Sequence, residues 1–362
     1  MRSARDGLAR SLQAKLSQQA KRIGADPNLV LTRYAVERYL YRLSRSTYTE
    51  KFVLKGALLM FAWMGDTFRP TRDADMLGFG DLAPESLAKI FAELCAVPVE
   101  PDAMTYLADT LRLEPIRHDD DYGGHRVTLM ARMGAARLRV QVDIGIGDAV
   151  VPAPEWIEYP SLLDLPKPRL RAYTPATVIA EKFHAITVLG MLNSRLKDYY
   201  DLYSLSQGCD ATSAAISKAI KATFRRRNTV VPDAWPIGLT SEFAGDAAKQ
   251  RQWNAFLEKS RVPGPTLAQV IDAIRRLLSE PLEFARTSRR AHKTLCSVEE
   301  HYGQCDGCGF QAGRACLSGA CAVTAVARRS NEVLEDVAVV AAQPPHQISY
   351  RMIGAIVRLS ER

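Results

Sequence analysis

The chain's most chemically suggestive pattern is Asp73-Ala74-Asp75. On an extended strand, side chains two residues apart share a face, so both carboxylates point together, with Thr71 in the same phase. Arg72, Ala74 and Met76 point the other way. Adjacent carboxylates repel unless positive charge sits between them. A divalent cation is the natural solution, and Mg²⁺ favours carboxylates combined with phosphate oxygens. Asp143 is a third candidate, on the polar phase of a strand between Val142 and Ile144. If the two strands are neighbours, three carboxylates converge on one metal site. An isolated Asp-x-Asp is weak by itself, because surface loops and helix caps use the same residues.

Gly56-Ala57 follows the apolar segment Phe52-Val53-Leu54 and opens a helix. A glycine there lets backbone amides approach a phosphate, and the helix dipole favours the negative charge. For a lone glycine, simple turn geometry is the commoner reason. Further on, Lys182 lies on a helix between Val178, Ile179, Phe183 and Ile186. A lysine at the edge of an apolar face ordinarily snorkels to solvent. Arg195, Lys197, Asp198 and Asp201 form a mixed charge run that a solvated helix face would carry as i,i+3 and i,i+4 pairs. His184, next to Phe183, reads as a packed core histidine rather than a base.

The elements that position these residues follow from periodicity and caps. Residues 4–22 and 27–44 read as two helices, the second opened by Asp26-Pro27. Phe52 to Leu54 is a short strand, Ala57 to Met64 a buried helix, and Arg69 to Gly78 another strand. Pro84 begins a helix to about Ala96. From Thr110 to Gly147 the character is β. Leu138, Val140, Val142, Ile144 and Ile146 alternate with Arg137, Arg139, Gln141, Asp143 and Gly145, giving one buried and one polar face. Pro152, Pro154, Pro160, Pro166 and Pro168 mark a linker-like stretch. Beyond it the chain reads as helical: Thr174-Pro175 to Gly190, then 196–206, 212–224, 251–259 and 266–279. Lys218, Lys221, Arg225, Arg226 and Arg227 lie at one helix end. They suit the helix dipole, and they could also grip an RNA backbone.

The chain has 362 residues, 47% hydrophobic and 24% charged, which excludes a mainly disordered chain, collagen or a coiled-coil rod. Its 48 Lys+Arg against 40 Asp+Glu give +8, which permits an anionic partner without demanding one. No apolar run is long enough to span a bilayer, and no signal core follows the basic N-terminus. The expectation is a cytoplasmic protein with no membrane partner. Seven cysteines are odd in number and unevenly spread, unlike a secreted disulfide framework.

The order strand, glycine turn, helix, Asp-x-Asp strand and later Asp strand is that of the polymerase-β-like nucleotidyltransferase fold. Five segments carry a more specific resemblance: 52–58 (FVLKGAL), 69–75 (RPTRDAD), 142–148 (VDIGIGD), 177–185 (TVIAEKFHA) and 195–202 (RLKDYYDL). In this order they resemble the AbiEii/AbiGii-type nucleotidyltransferase toxins, over residues about 25–285. The resemblance implies an α+β fold: a mixed-sheet nucleotidyltransferase core at 47–168, behind N-terminal helices at 1–46. A helical domain at 169–287 then completes the site.

It also implies Mg²⁺- or Mn²⁺-dependent transfer of a nucleoside monophosphate from a nucleoside triphosphate, releasing pyrophosphate. Asp73, Asp75 and Asp143 would hold metal, and Thr71 and Asp73 match the motif around the first metal carboxylate. Lys55, Gly56, Thr71, Arg72 and Lys182 would contact the nucleotide, and Asp198 is the acidic residue of the last motif. Asp143 or Asp198 would help the acceptor hydroxyl lose its proton. The acceptor carried over is the 3′ end of tRNA. The cognate antitoxin would be encoded nearby and need not touch the toxin. One departure is Ala57, where the superfamily often has Gly or Ser; the hydroxyl is absent but the amide remains. Rival expectations are a catalytically silent nucleotide- or nucleic-acid-binding module, and transfer to a protein or small-molecule acceptor.

The resemblance stops before 288–362, where glycine and cysteine rise. That tail reads as an appended module or as sequence that does not fold. Cys305-Asp306-Gly307-Cys308 with Cys316 and Cys321 has half of a zinc-ligand spacing, and the other half does not fit the usual long-loop ribbon.

Overall fold

The structure, a computed structural model, describes residues 2–65, 69–116 and 123–302. The elements run α1 (Arg2–Arg22), α2 (Pro27–Ser44), β1 (Phe52–Lys55), α3 (Gly56–Met64), β2 (Ala74–Gly78) and α4 (Pro84–Leu94). Strands β3 (Thr105–Ile116), β4 (Gly124–Met133), β5 (Ala136–Ile146), β6 (Glu155–Glu158) and β7 (Arg169–Ala172) follow. The rest is helical: α5 (Pro175–Leu189), α6 (Leu196–Ser206), α7 (Ser213–Arg226), α8 (Ser241–Gly245), α9 (Ala247–Ser260) and α10 (Leu267–Tyr302). Met1–Pro281 forms one compact unit; of the second, from Leu282, the described part is helical. The tail cysteines 305, 308, 316 and 321 lie outside the described residues, as does the expected tail beyond Tyr302.

The seven strands form one mixed sheet in the order β3-β4-β5-β2-β1-β7-β6. β1 lies antiparallel to β2 and parallel to β7, and β2 lies parallel to β5. Buried on both faces, β1 is a continuous apolar run, as strands inside a covered sheet are. In the β4–β5 hairpin the alternation is clean: Val127, Leu129 and Ala131 with Val140, Val142 and Ile144 are buried, and their neighbours face out.

Local chemistry explains the helix ends. The Asp26 carboxylate accepts from the amides of Asn28 and Leu29 at 2.8 and 3.0 Å, and Pro27 needs no partner at the first helical position. Thr174 caps α5 in the same way ahead of Pro175. On α2 the polar side is buried as well as the apolar stripe. Arg38 and Arg42 reach Asp102 at 3.3 and 2.6 Å, while Glu37 accepts from Ser161 and the Leu162 amide. These bonds satisfy charges that burial would otherwise penalise and fasten α2 to the core.

Three expectations change. The strand expected from Arg69 begins only at Ala74, because the segment before it is drawn toward α6, where Arg69 meets Asp201. The proline-rich stretch is no plain linker: it carries β6 and leads into β7, which sits beside the central strand. The helix expected to end at 279 runs through Pro281 to Tyr302. No helix among the described residues is long and apolar enough to cross a membrane.

Candidate active site

The sheet register brings the sequence candidates together. Lys55 ends β1 directly opposite Asp75 on β2, and Asp75 stands opposite Asp143 on β5. Asp73 lies one residue ahead of β2.

Asp75 is half-buried and makes no hydrogen bond or ion pair among the described residues. Burial raises its pKa; repulsion from Asp73 and Asp143 adds to the shift, against Lys197 and Lys55. Its packing explains Gly56 better than turn geometry alone. Gly56 has φ +71°, and a Cβ there would come within 2.6 Å of the Asp75 Cγ. The glycine is required because the carboxylate passes where a side chain would sit. Lys55, the residue ahead of α3, makes no side-chain capping bond, so the first-turn amides of α3 keep their donors.

Asp73 and Asp143 are linked by Gln141, whose amide nitrogen lies 3.5 Å from Asp73 Oδ2 and 3.2 Å from Asp143 Oδ1. Asp143 also receives a two-pronged contact from Arg126, at 2.8 and 2.7 Å. Among the described residues no three His, Cys, Asp or Glu side chains are gathered closely enough to hold a metal ion. The donor set that fits a hard divalent cation is Asp73 with Asp75. These two make no direct ion pair among the described residues, although Lys197 and Lys55 act on the charge of Asp75 from nearby. Asp143 stands beside them but is engaged by Arg126. Thr71 is half-buried and Arg72 exposed at the entrance to β2.

Two ion-pair clusters flank these carboxylates. In one, Lys55 Nζ donates to Asp148 at 2.7 Å and to Glu181 at 3.2 Å, and Tyr173 donates to Glu181 at 3.1 Å. Arg227 closes the cluster on Asp148 at 2.9 Å. Burial alone would lower the Lys55 pKa, but Glu181, Tyr173 and Asp148 outweigh it and hold the amine charged. Burial would likewise raise Asp148, but Lys55 and Arg227 hold it well below the usual carboxylate range.

In the other cluster, Lys182 Nζ lies 2.7 Å from both Asp198 and Asp201. Arg69 grips Asp201 at 2.7 and 2.8 Å, and Arg195 Nε sits 2.8 Å from Asp198 Oδ2. Lys182 does not snorkel; with its two carboxylates it forms a buried polar knot.

Sequence reasoning did not single out Asp148, Glu181 or Tyr173, and it read Arg227 as part of a basic helix end that could grip RNA, not as a partner of Asp148. These four are brought together only by the fold. Asp148 and Glu181 do lie inside the matched segments, which was the available signal. His184 is a packed histidine as expected, 4.9 Å edge-on to Phe224, with Nε2 at 2.9 Å from Thr229.

A mixed sheet bearing an Asp-x-Asp beside a glycine-opened helix is the arrangement of a nucleotidyltransferase core. Residues 38–280 match the family described as Nucleotidyl transferase AbiEii toxin, Type IV TA system. The chain belongs to this family, the nucleotidyltransferase toxins of type IV toxin–antitoxin systems. No curated protein matches it. Among solved structures, JHP933 from Helicobacter pylori is similar at 13% identity and TM-score 0.39, covering 72% of this chain and 94% of its own. A crystal structure of a "putative nucleotidyltransferase" from H. pylori is similar at 15% identity and TM-score 0.37, covering 68% and 94%.

Proposed function

We propose that this toxin transfers a nucleoside monophosphate from a nucleoside triphosphate to the 3′ end of an RNA, with tRNA the leading acceptor. The observation that carries the proposal is Asp75: a half-buried carboxylate near Asp73, with no hydrogen bond or ion pair among the described residues, packed against the glycine that opens α3. Asp73 and Asp75 would hold Mg²⁺ or Mn²⁺, with Asp143 as a third ligand once Arg126 turns away; bound there, the cation would neutralise the triphosphate and orient its α-phosphate.

The chain's own groups supply the rest. Lys55 and Lys182, held charged by their carboxylate partners, would contact the triphosphate oxygens. The free amides of α3 offer further donors, and Thr71 and Arg72 lie at the entrance. Of the two carboxylates that could accept the proton of the acceptor hydroxyl, Asp143 is the more open, with its side chain 16% exposed against 1% for Asp198. Asp198 then acts by holding Lys182. Pyrophosphate leaves. Positioning and electrostatics supply most of the rate, as in phosphoryl transfer generally.

This reading places the toxin in the cytoplasm with its RNA acceptor, beside an antitoxin that is encoded nearby and need not bind it directly. The test is incubation of purified protein with Mg²⁺, total tRNA and each labelled nucleoside triphosphate in turn. Label on RNA with one nucleotide, and its absence without Mg²⁺, supports the proposal. Transfer to protein or to small molecules alone overturns the choice of acceptor.

A further inference from the structure

The outer face of the β3–β5 half of the sheet carries an unexplained excess of positive charge. Along β5 the outward residues are Asp143, Gln141, Arg139 and Arg137, one row running from the candidate metal site to the hairpin tip. Each step of two residues advances about 7 Å, so Arg137 lies roughly 20 Å from Asp143. On β4 the row is Arg126, Thr128, Met130 and Arg132.

Arg132, Arg137 and Arg139 are all exposed, and none makes a hydrogen bond or ion pair among the described residues. Arg132 stands directly opposite Arg137 in the antiparallel register, and Arg139 stands opposite Met130. Like charges directly opposite destabilise a strand pair. The other cross-strand neighbour of Arg132 is Thr105; Glu114 pairs in register with Arg126 near the site, and Asp109 lies in the irregular stretch between Leu107 and Arg112, with no register partner. A local cost without a local remedy marks a functional surface.

We propose that this face is the track on which the acceptor's phosphate backbone lies, leading its 3′ end to Asp143 and Asp75. An extended polyanion fits: the three guanidinium groups form a flat, open, basic surface in line with the carboxylates. A folded acidic peptide would not need a track that ends at a nucleotidyl-transfer site. The inference rests on the proposed transfer to RNA.

The test uses the full chain with Arg132→Gln, Arg137→Gln and Arg139→Gln combined, and Arg251→Gln on the exposed surface of α9 as control. Binding of a fluorescein-labelled RNA hairpin with an unpaired 3′ end is measured by anisotropy at several salt concentrations. With each phosphate contact contributing about 0.7–0.9 to the slope of log K against log[salt], the triple variant should lose about 2–3 of that slope, while the control keeps it. The nucleotide-induced rise in melting temperature should be unchanged, and the triple variant itself should melt no lower than wild type. An unchanged slope and affinity in the triple variant, or no RNA binding by wild type, overturns the track. RNA binding that depends on the three arginines without any transfer would leave the track standing and defeat the proposed reaction. Transfer that persists in the triple variant with unchanged KM for RNA would do the reverse.

Discussion

Gly56→Ala tests the packing at the heart of the site, because its cost has two separable parts. The first is backbone. At φ +71° an L side chain pays about 1–2 kcal/mol for the left-handed region. The second is steric: the new Cβ would lie 2.6 Å from Cγ and 2.7 Å from Cβ of Asp75, closer than real side chains approach. Relieving that overlap moves the carboxylate or β2, at about 1–3 kcal/mol. Gly24→Ala isolates the first part. Gly24 has φ +66° and nothing within 4 Å of its missing Cβ. The unfolded-state gain from alanine is shared and cancels in the comparison.

Gly56→Ala should therefore be less stable than Gly24→Ala by about 1–3 kcal/mol, or roughly 2–12 °C in Tm at about 2–4 °C per kcal/mol. Thermal melts of the two full-length variants measure this directly. Gly56→Ala should also lose nucleotidyl transfer, with Asp75 displaced, whereas Gly24→Ala should retain it. Two variants that melt together and both remain active would refute the claim that Gly56 exists to admit Asp75.

Other outcomes follow from the ion-pair clusters. Asp201→Asn removes a fully buried partner of Arg69 and Lys182; it should cost about 3–5 kcal/mol by chemical denaturation, since a buried charge is left uncompensated. A loss below 1 kcal/mol would show that the knot is solvated. Acid should weaken the fold through Asp148 and Asp201, both held below the ordinary carboxylate value against the opposing effect of burial. Below about pH 4 the unfolded chain takes up protons that these native carboxylates refuse, so their stabilisation is present above that pH and lost as pH falls. Asp148→Asn should start less stable at neutral pH and show a flatter decline between about pH 4 and 2; an equal slope in variant and wild type would exclude Asp148 as a source.

Much of this was legible because it is written in local patterns. Asp26-Pro27 and Thr174-Pro175 mark two helix starts by caps that need only neighbouring amides. The alternation at 137–146 identifies β5 and places Asp143 on its polar face. The four-residue strands β6 and β7 were hidden, because so short a run among prolines has no period to detect, and β7 is a strand only because β1 lies beside it. The last helix departs in the other direction: α10 runs past its expected end at 279, loses one bond at Pro281 and continues to Tyr302.

At the site, residue types were legible and partners were not. Lys182 and Asp198 could be singled out separately, but their mutual contact at 2.7 Å depends on how α5 meets α6. Asp148 and Arg227 are 79 residues apart along the chain, and only folding makes them a pair.

The most direct measurement of the central claim is nucleotidyl transfer by wild type, Asp73→Asn and Asp75→Asn side by side, with Mg²⁺, labelled nucleoside triphosphates and total tRNA. Both variants should melt near wild type, since Asp75 makes no hydrogen bond or ion pair among the described residues and Asp73 takes only long contacts from the Arg72 amide and Gln141, at 3.3 and 3.5 Å, yet transfer should fall by a factor corresponding to about 3–5 kcal/mol of barrier. Transfer at the wild-type rate in a folded Asp75→Asn protein would contradict it.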